Sequence, residues 1–218
     1  MSHHPPQDEI AEASEFAAAL ASALVEYGID ELSNAQLAQL ARHYAMMRAW
    51  NRRINLTRII APEEAARLHY ADSLFGGRFI EAAQTLLDIG SGAGFPAIPL
   101  AVLRPDITVS ALEANQKKSL FLAEAADALG LKNFKVLTTR VESFDLSGYD
   151  VLTSRALDRA EAVLPAVIKQ ISGRQRFLLY CAPDLMARLM PQLATGFDVE
   201  THAIPQSEAR LVAVFSKR

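Results

Sequence analysis

A mostly parallel, seven-stranded α/β sheet preceded by a helical segment is what this sequence predicts, and three observations predict it. From Leu86 onward, short β-like runs alternate with helical ones, the pattern of a doubly wound parallel sheet. The last two β-like runs follow one another with no helical run between them, which implies an antiparallel hairpin at one edge. Before that region, apolar residues recur only at helical spacing. The expected division is therefore a helical cap over residues 1–80 and an α/β unit over 81–218.

Each element has its own signal. In the first part, "FAAALASALVEYG" is an amphipathic helix stopped by Gly28, and Ser33 stands where it would cap the next, "LSNAQLAQLARHYAMMRAWNRRINL". Helical spacing is read from Ile10 to about Leu74. In the second part the strands are "TLLDIG", "ITVSALEA", "KVLTTR", "YDVLTSRA", "RFLLYCA", "FDVETHAI" and "ARLVAVFSK". Between them lie the helical runs "FPAIPLAVLR", "NQKKSLFLAEAADALG", "RAEAVLPAVIKQI" and "PDLMARLMPQLA".

Composition narrows the function. A chain of 218 residues, 50% apolar and 22% charged, is enough for one sizeable core, and intrinsic disorder does not fit. No apolar run approaches the roughly 20 residues of a membrane helix, and the start "MSHHPPQDEI" lacks the features of a signal peptide, so the expected location is the cytoplasm. Cys181 is the single cysteine, which excludes an internal disulfide, and no histidine spacing suggests a metal site. Cys181 is expected to be buried and structural. The net charge of −3 hides an asymmetry: residues 1–40 carry seven carboxylates and no Lys or Arg, whereas residues 41–80 carry seven arginines against three carboxylates. Such a belt is either a solvated helix face or a surface for a polyanion.

The most informative stretch is "LLDIGSGAGFPAIPL", at the turn after the first strand of the sheet, where doubly wound folds place their ligands. A dinucleotide fingerprint would need its third glycine at position 95, which is Phe95, and no Gly-Lys-Ser/Thr follows to make a phosphate loop. The arrangement Asp88-x-Gly90-x-Gly92-x-Gly94 instead resembles motif I of S-adenosylmethionine-dependent methyltransferases. Glu113 closes the second strand about 20 residues later, where a carboxylate can accept hydrogen bonds from both ribose hydroxyls. The acceptor is narrowed by exclusion. The end of the fourth strand has no Asn/Asp-Pro-Pro-aromatic loop for an exocyclic amine, and Cys181 has no second cysteine or activating base for attack on a pyrimidine ring. Guanine N7, with an exposed lone pair and no proton to lose, asks only for alignment with the sulfonium methyl, so no catalytic base is expected.

Nearly the whole chain resembles the RsmG (GidB) family of bacterial methyltransferases, on "WNRRINLTRI", "LHYADSL", "LLDIGSGAGFPAIPLAVLRPD", "RVESF", "TSRAL" and the closing "ARLVAVFSK". The resemblance implies a Rossmann-like class I methyltransferase that modifies guanine N7 in 16S ribosomal RNA of the small subunit, with S-adenosylmethionine as cofactor. By position, Gly90 and Phe95 match cofactor-contacting residues of motif I, Val141 and Glu142 match a pair beside the adenine, and Arg155 matches an arginine beside the methionine end. In the cap, Arg52, Arg53 and Arg58, interleaved with Asn51 and Asn55, supply phosphate neutralisation and base-reading amides, and Trp50 reads as a core anchor. His69 and Asp72 match the family's RHxxDS block, with Leu68 where relatives often have Arg, and His69 by itself also reads as a packing residue. After the fifth strand this chain has "YCAPD" where the family shows Lys-Gly. Two alternatives stay open on the same frame: a small-molecule or protein methyltransferase, which would leave the arginines without a task, and a non-catalytic RNA-binding assembly factor. No long exposed apolar stripe stands out, so a monomer is expected.

Overall fold

The computed structural model describes residues 7–30, 32–80, 83–155, 160–193, 196–207 and 209–218. Helix α1 (Gln7–Glu26) stops short of Gly28, and α2 (Asn34–Asn51) begins at a capping box in which the Ser33 hydroxyl accepts from Gln36 N–H and the Gln36 side chain accepts from Ser33 N–H. The helical pattern read through to Leu74 is interrupted, because residues 52–61 form an irregular loop. Asn51 explains the break. Its Oδ1 accepts the N–H groups of Leu56 (2.8 Å) and Thr57 (3.0 Å), and its Nδ2 donates to the Thr57 carbonyl (3.0 Å), so the side chain offers the backbone a competitor to the helix.

The chain then turns helical again through α3 (Pro62–Ala65), a π-helical stretch (Ala66–Ala71) and α4 (Asp72–Phe75). A π-helical turn leaves carbonyls out of the ordinary ladder and is frequent at functional sites. Here the Leu68 and His69 carbonyls accept from Arg155, and His69 O also accepts from Ser73 Oγ.

Seven strands follow: β1 (Thr85–Ile89), β2 (Thr108–Leu112), β3 (Phe134–Leu137), β4 (Val151–Arg155), β5 (Arg176–Cys181), β6 (Phe197–Ala203) and β7 (Leu211–Lys217). Their order is β3-β2-β1-β4-β5-β7-β6, with the first five parallel and β7 antiparallel to both neighbours, as the missing helix before the last strand implies. Helices α5 (Ala97–Leu103), α6 (Gln116–Leu129), α7 (Ala160–Lys169) and α8 (Pro183–Leu189) make the crossovers. The alternation is not complete: only a 3₁₀ turn (Val141–Ser143) intervenes between β3 and β4. The strand order reverses between β1 and β4, and that divergence opens a crevice beyond their carboxyl ends. Thr153 Oγ1 donates to Asp88 Oδ1 (2.9 Å) and Ser154 Oγ to the Ile89 carbonyl (2.9 Å), pinning the two strands at the reversal.

Alternate residues of each strand face opposite sides. Leu87, Ile89 and Leu152 pack on α7 and α8, whereas Leu86, Val109 and Ala111 share a core with Phe16, Leu40, Tyr44 and Met47 of the N-terminal helices. The cap is thus built into the same core as the sheet, each such Leu, Val, Phe or Met side chain contributing about 1.5–3 kcal/mol by its burial. Gln36 Nε2 donates to the Val102 carbonyl (2.9 Å) and Gln39 Nε2 to the Leu129 carbonyl (2.8 Å), so α2 also satisfies carbonyls at the ends of α5 and α6. The junction expected at position 81 lies at Glu81 and Ala82, outside the described residues, as do Ala156 and Leu157 of "TSRAL".

Candidate active site

The crevice widens into a cleft of about 770 Å³. Its floor is the glycine turn after β1, its far wall is the end of β2 with the start of α6 and the turn after β3, and its near wall is the loop after α2. Gly90 N–H and Ser91 N–H both bond the Leu112 carbonyl (2.8 and 3.2 Å), which draws the turn over the end of β2. Gly92 has φ +55°, and a Cβ there would have only the Gly90 carbonyl oxygen nearby, at 3.8 Å. That position therefore opens onto free space at the cleft floor.

Glu113 is 8% exposed and rigidly held: Oε2 accepts from Gly92 N–H (2.9 Å) and Oε1 from Asn115 N–H (2.8 Å). Each carboxylate oxygen keeps further lone-pair capacity for hydroxyl donors. Asn115 in turn caps α6, accepting from Lys117 and Lys118 N–H. Apolar walls of Ile89, Leu112, Val141 and Phe95 complete a slot suited to a flat ring. Phe95 lies flat against His69, with centroids 4.3 Å apart and 13° between planes.

His69 is buried, and burial first, then the Arg155 charge, pushes its imidazole down to about 3, so the ring is neutral. Its Nδ1 faces Arg155 and its Nε2 lies 2.9 Å from Thr57 Oγ1. Arg155 is held beneath the π-helical carbonyls of Leu68 and His69, and burial is the main influence lowering its pKa. Arg155 is among the residues that line the cleft, and a guanidinium has five N–H donors, more than these contacts use.

Of the expected cofactor residues, Gly90, Gly92, Phe95, Glu113, Val141, Glu142 and Arg155 all line this one cleft. Asp88 and Gly94 stand behind its wall. The Asp88 carboxyl is fully buried against Thr153, and burial raises it to about 6. A Cβ on Gly94 would come within 2.6 Å of Ile98 Cδ1, so that glycine answers to packing rather than to a ligand.

Of the expected RNA residues, Arg58 and His69 line the cleft, and Arg52, Arg53 and Asn55 are exposed on the same loop. Asn51 and Asp72 are committed elsewhere. The Asn51 amide holds the loop from within. Asp72, 1% exposed, accepts from the Tyr27 hydroxyl (3.1 Å) and pairs with Arg210 (2.9 Å), so it ties the cap to the residue just before the last strand rather than meeting RNA. Trp50 is half-buried, edge-on to Phe121. Cys181 is half-buried, and burial pushes its thiol up to about 12, so it is an inert side chain. Sequence reasoning missed Thr57, Lys118, Thr139 and Arg140 on the cleft wall. Arg140 directly precedes the Val141–Glu142 pair and Lys118 falls in the first turn after Glu113's strand, so position relative to the strand ends was the available signal.

Comparison with known proteins agrees with this geometry. A family profile described as rRNA small subunit methyltransferase G matches residues 36–189. Ribosomal RNA small subunit methyltransferase G of Neisseria meningitidis serogroup C is 43% identical over 63% of this chain and 66% of its own length. The protein of the same name from Roseiflexus sp. is 35% identical over 85% of each chain. Among solved structures, a SAM-dependent O-methyltransferase from Thermotoga maritima superposes with TM-score 0.54 at 15% identity, over 79% of this chain and 71% of that one, a likeness of fold alone. With its glycine turn, strand-end glutamate and buried arginine gathered in one cleft, and with most of its length matched by the profile, the chain belongs to the family of rRNA small subunit methyltransferase G.

Proposed function

We propose that the chain transfers the methyl group of S-adenosylmethionine to N7 of a guanine in 16S ribosomal RNA, as a monomer in the cytoplasm. The observation that carries this reading is a single cleft whose floor suits a nucleoside-bearing cofactor and whose near wall is an arginine-bearing loop. The residues present fit that cofactor. The space above Gly92 is open, Glu113 offers lone pairs to ribose hydroxyls, the apolar slot beside Val141 takes a flat base, and Arg155 has N–H groups to meet a carboxylate. Bound there, S-adenosylmethionine supplies an electrophilic methyl on a positively charged sulfur.

The chain's own contribution is positioning. Phe95 and His69 form a stacked apolar wall that excludes water from one side of the cleft. Arg58, at its mouth, and the exposed Arg52 and Arg53 neutralise phosphates of the incoming strand. No side chain has to remove a proton, because N7 attacks through a free lone pair, and neutral His69 makes no charge of its own. Among the described residues no helix is long and apolar enough to cross a membrane, and no group of His, Cys, Asp and Glu is placed to hold a metal ion.

The test is incubation with methyl-labelled S-adenosylmethionine and three acceptor pools: assembled small subunits, naked 16S RNA and cell metabolites. Label recovered from RNA as 7-methylguanosine is the expected result. Label confined to the metabolites would replace this reading with a small-molecule methyltransferase, and RNA binding with no transfer would replace it with an assembly factor.

A further inference from the structure

One fully buried polar chain links three parts of the molecule that the reaction must keep in register. Tyr70 lies in the π-helical stretch, His43 in the middle of α2 and Ala93 between the second and third glycines of the cleft floor. Tyr70 and His43 are both 0% exposed. His43 Nε2 sits 3.1 Å from the Ala93 carbonyl oxygen, and its Nδ1 sits 2.8 Å from the Tyr70 hydroxyl.

A carbonyl only accepts, so Nε2 carries the imidazole proton and donates it to Ala93. Nδ1 is then the acceptor, and the Tyr70 hydroxyl is its donor. The geometry admits one direction of donation along the whole chain, Tyr70 to His43 to Ala93. Protonation would put a second N–H against the Tyr70 hydroxyl, and burial pushes the His43 pKa down to about 3, so the neutral form persists.

The loop is also pressed onto this ring. A Cβ at Gly94 would lie 3.3 Å from His43 Nε2, and the ring of Phe95 is 5.3 Å from that of His43, centroid to centroid. We infer that His43 is a positioning residue: its Nε2–H holds the Ala93 carbonyl and so fixes the glycine turn in the shape that receives the cofactor. The inference rests on the cofactor reading above for its consequence, though not for its geometry.

Three substitutions separate positioning from bulk packing. His43→Gln places an amide N–H as many bonds from Cα as Nε2 and keeps the donor to Ala93. His43→Asn keeps polarity but is too short to reach Ala93. His43→Leu keeps volume and removes both bonds.

Amide hydrogen exchange at Gly92, Gly94 and Phe95 in the ligand-free protein should quicken about tenfold in the Leu and Asn variants and stay near wild type in the Gln variant. The dissociation constant for S-adenosylmethionine, by calorimetry, should follow the same order, about tenfold weaker in Leu and Asn and within about twofold in Gln. Nitrogen NMR of the wild-type protein should show His43 as the Nε2–H tautomer, a readout that does not depend on whether any variant folds.

A wild-type Nδ1–H tautomer would overturn the inference, as would a folded Leu variant with unchanged exchange, or Gln and Asn variants that behave alike. Should the wild-type protein bind no S-adenosylmethionine, the cofactor reading fails while the exchange and tautomer measurements still decide the role of His43.

Discussion

A Cβ built at Gly94 would lie 2.6 Å from Ile98 Cδ1 in a backbone with φ +92°, whereas one built at Gly92 would have only the Gly90 carbonyl at 3.8 Å and φ +55°. The two residues share a motif and answer to different constraints. Gly94→Ala should therefore lower stability by about 2–4 kcal/mol, from overpacking added to a strained backbone, read as a lowered denaturant midpoint. Gly92→Ala should cost the fold only the left-handed penalty of about 1–2 kcal/mol while weakening S-adenosylmethionine binding, read by calorimetry. Sequence spacing alone cannot separate the pair, because the distinguishing atom, Ile98 Cδ1, arrives from the following helix. His69 makes a second residue-level prediction. Its ring is neutral down to about pH 3, so the single-turnover rate of methyl transfer should be flat from roughly pH 6 to 9, and a steep profile fitting one ionisation would reveal a base in the cleft.

Between α2 and α3, ten residues leave the helix and become a wall of the cleft, and the cause is one side chain. The apolar spacing through "WNRRINL" reads as helix because it records which residues are buried, not which backbone bonds are made. Asn51 makes three hydrogen bonds to Leu56 and Thr57 that a continuous helix would forbid. Replacing Asn51 with Ala should loosen this loop, costing about 1–3 kcal/mol and weakening RNA binding more than cofactor binding, as paired titrations would show. The π-helical stretch is likewise invisible in sequence, since its period differs from an ordinary helix by less than about one residue per turn and it spans only Ala66–Ala71. Its function becomes legible only with Arg155, which comes from β4, some 86 residues later, and bonds the carbonyls of Leu68 and His69. By contrast the strands and crossover helices of the sheet were plain in the sequence, because parallel strands buried on both faces leave short apolar runs.

Across the whole molecule, the N-terminal helices and the sheet share one core, and two buried histidines sit at their junction. Burial holds His43 and His69 near 3, well below an ordinary histidine, so the unfolded chain binds protons more readily than the folded one. The stability they contribute is full above about pH 6.5 and is lost as the pH falls from there toward 3. Acidification from pH 7 to 5 should therefore destabilise the wild-type protein by about 2 kcal/mol more than His43→Gln, which removes one of these groups, measured by urea unfolding at the two pH values. The half proposed to hold the cofactor was readable because glycine spacing and a strand-end carboxylate are local in sequence. The half proposed to face RNA was readable only as charge, since which of Asn51, Arg52, Arg53, Asn55 and Arg58 points outward depends on a loop the periodicity concealed. The task of that loop is open to direct measurement. Replacing Arg52, Arg53 and Arg58 together with Gln removes three charges and keeps hydrogen-bonding capacity, so the slope of log RNA affinity against log salt should become shallower by about 2–3. Affinity for S-adenosylmethionine should stay within about twofold of wild type. An unchanged salt slope with undiminished methylation of the small subunit would contradict the account, leaving the arginine loop a solvated surface and the RNA contact elsewhere.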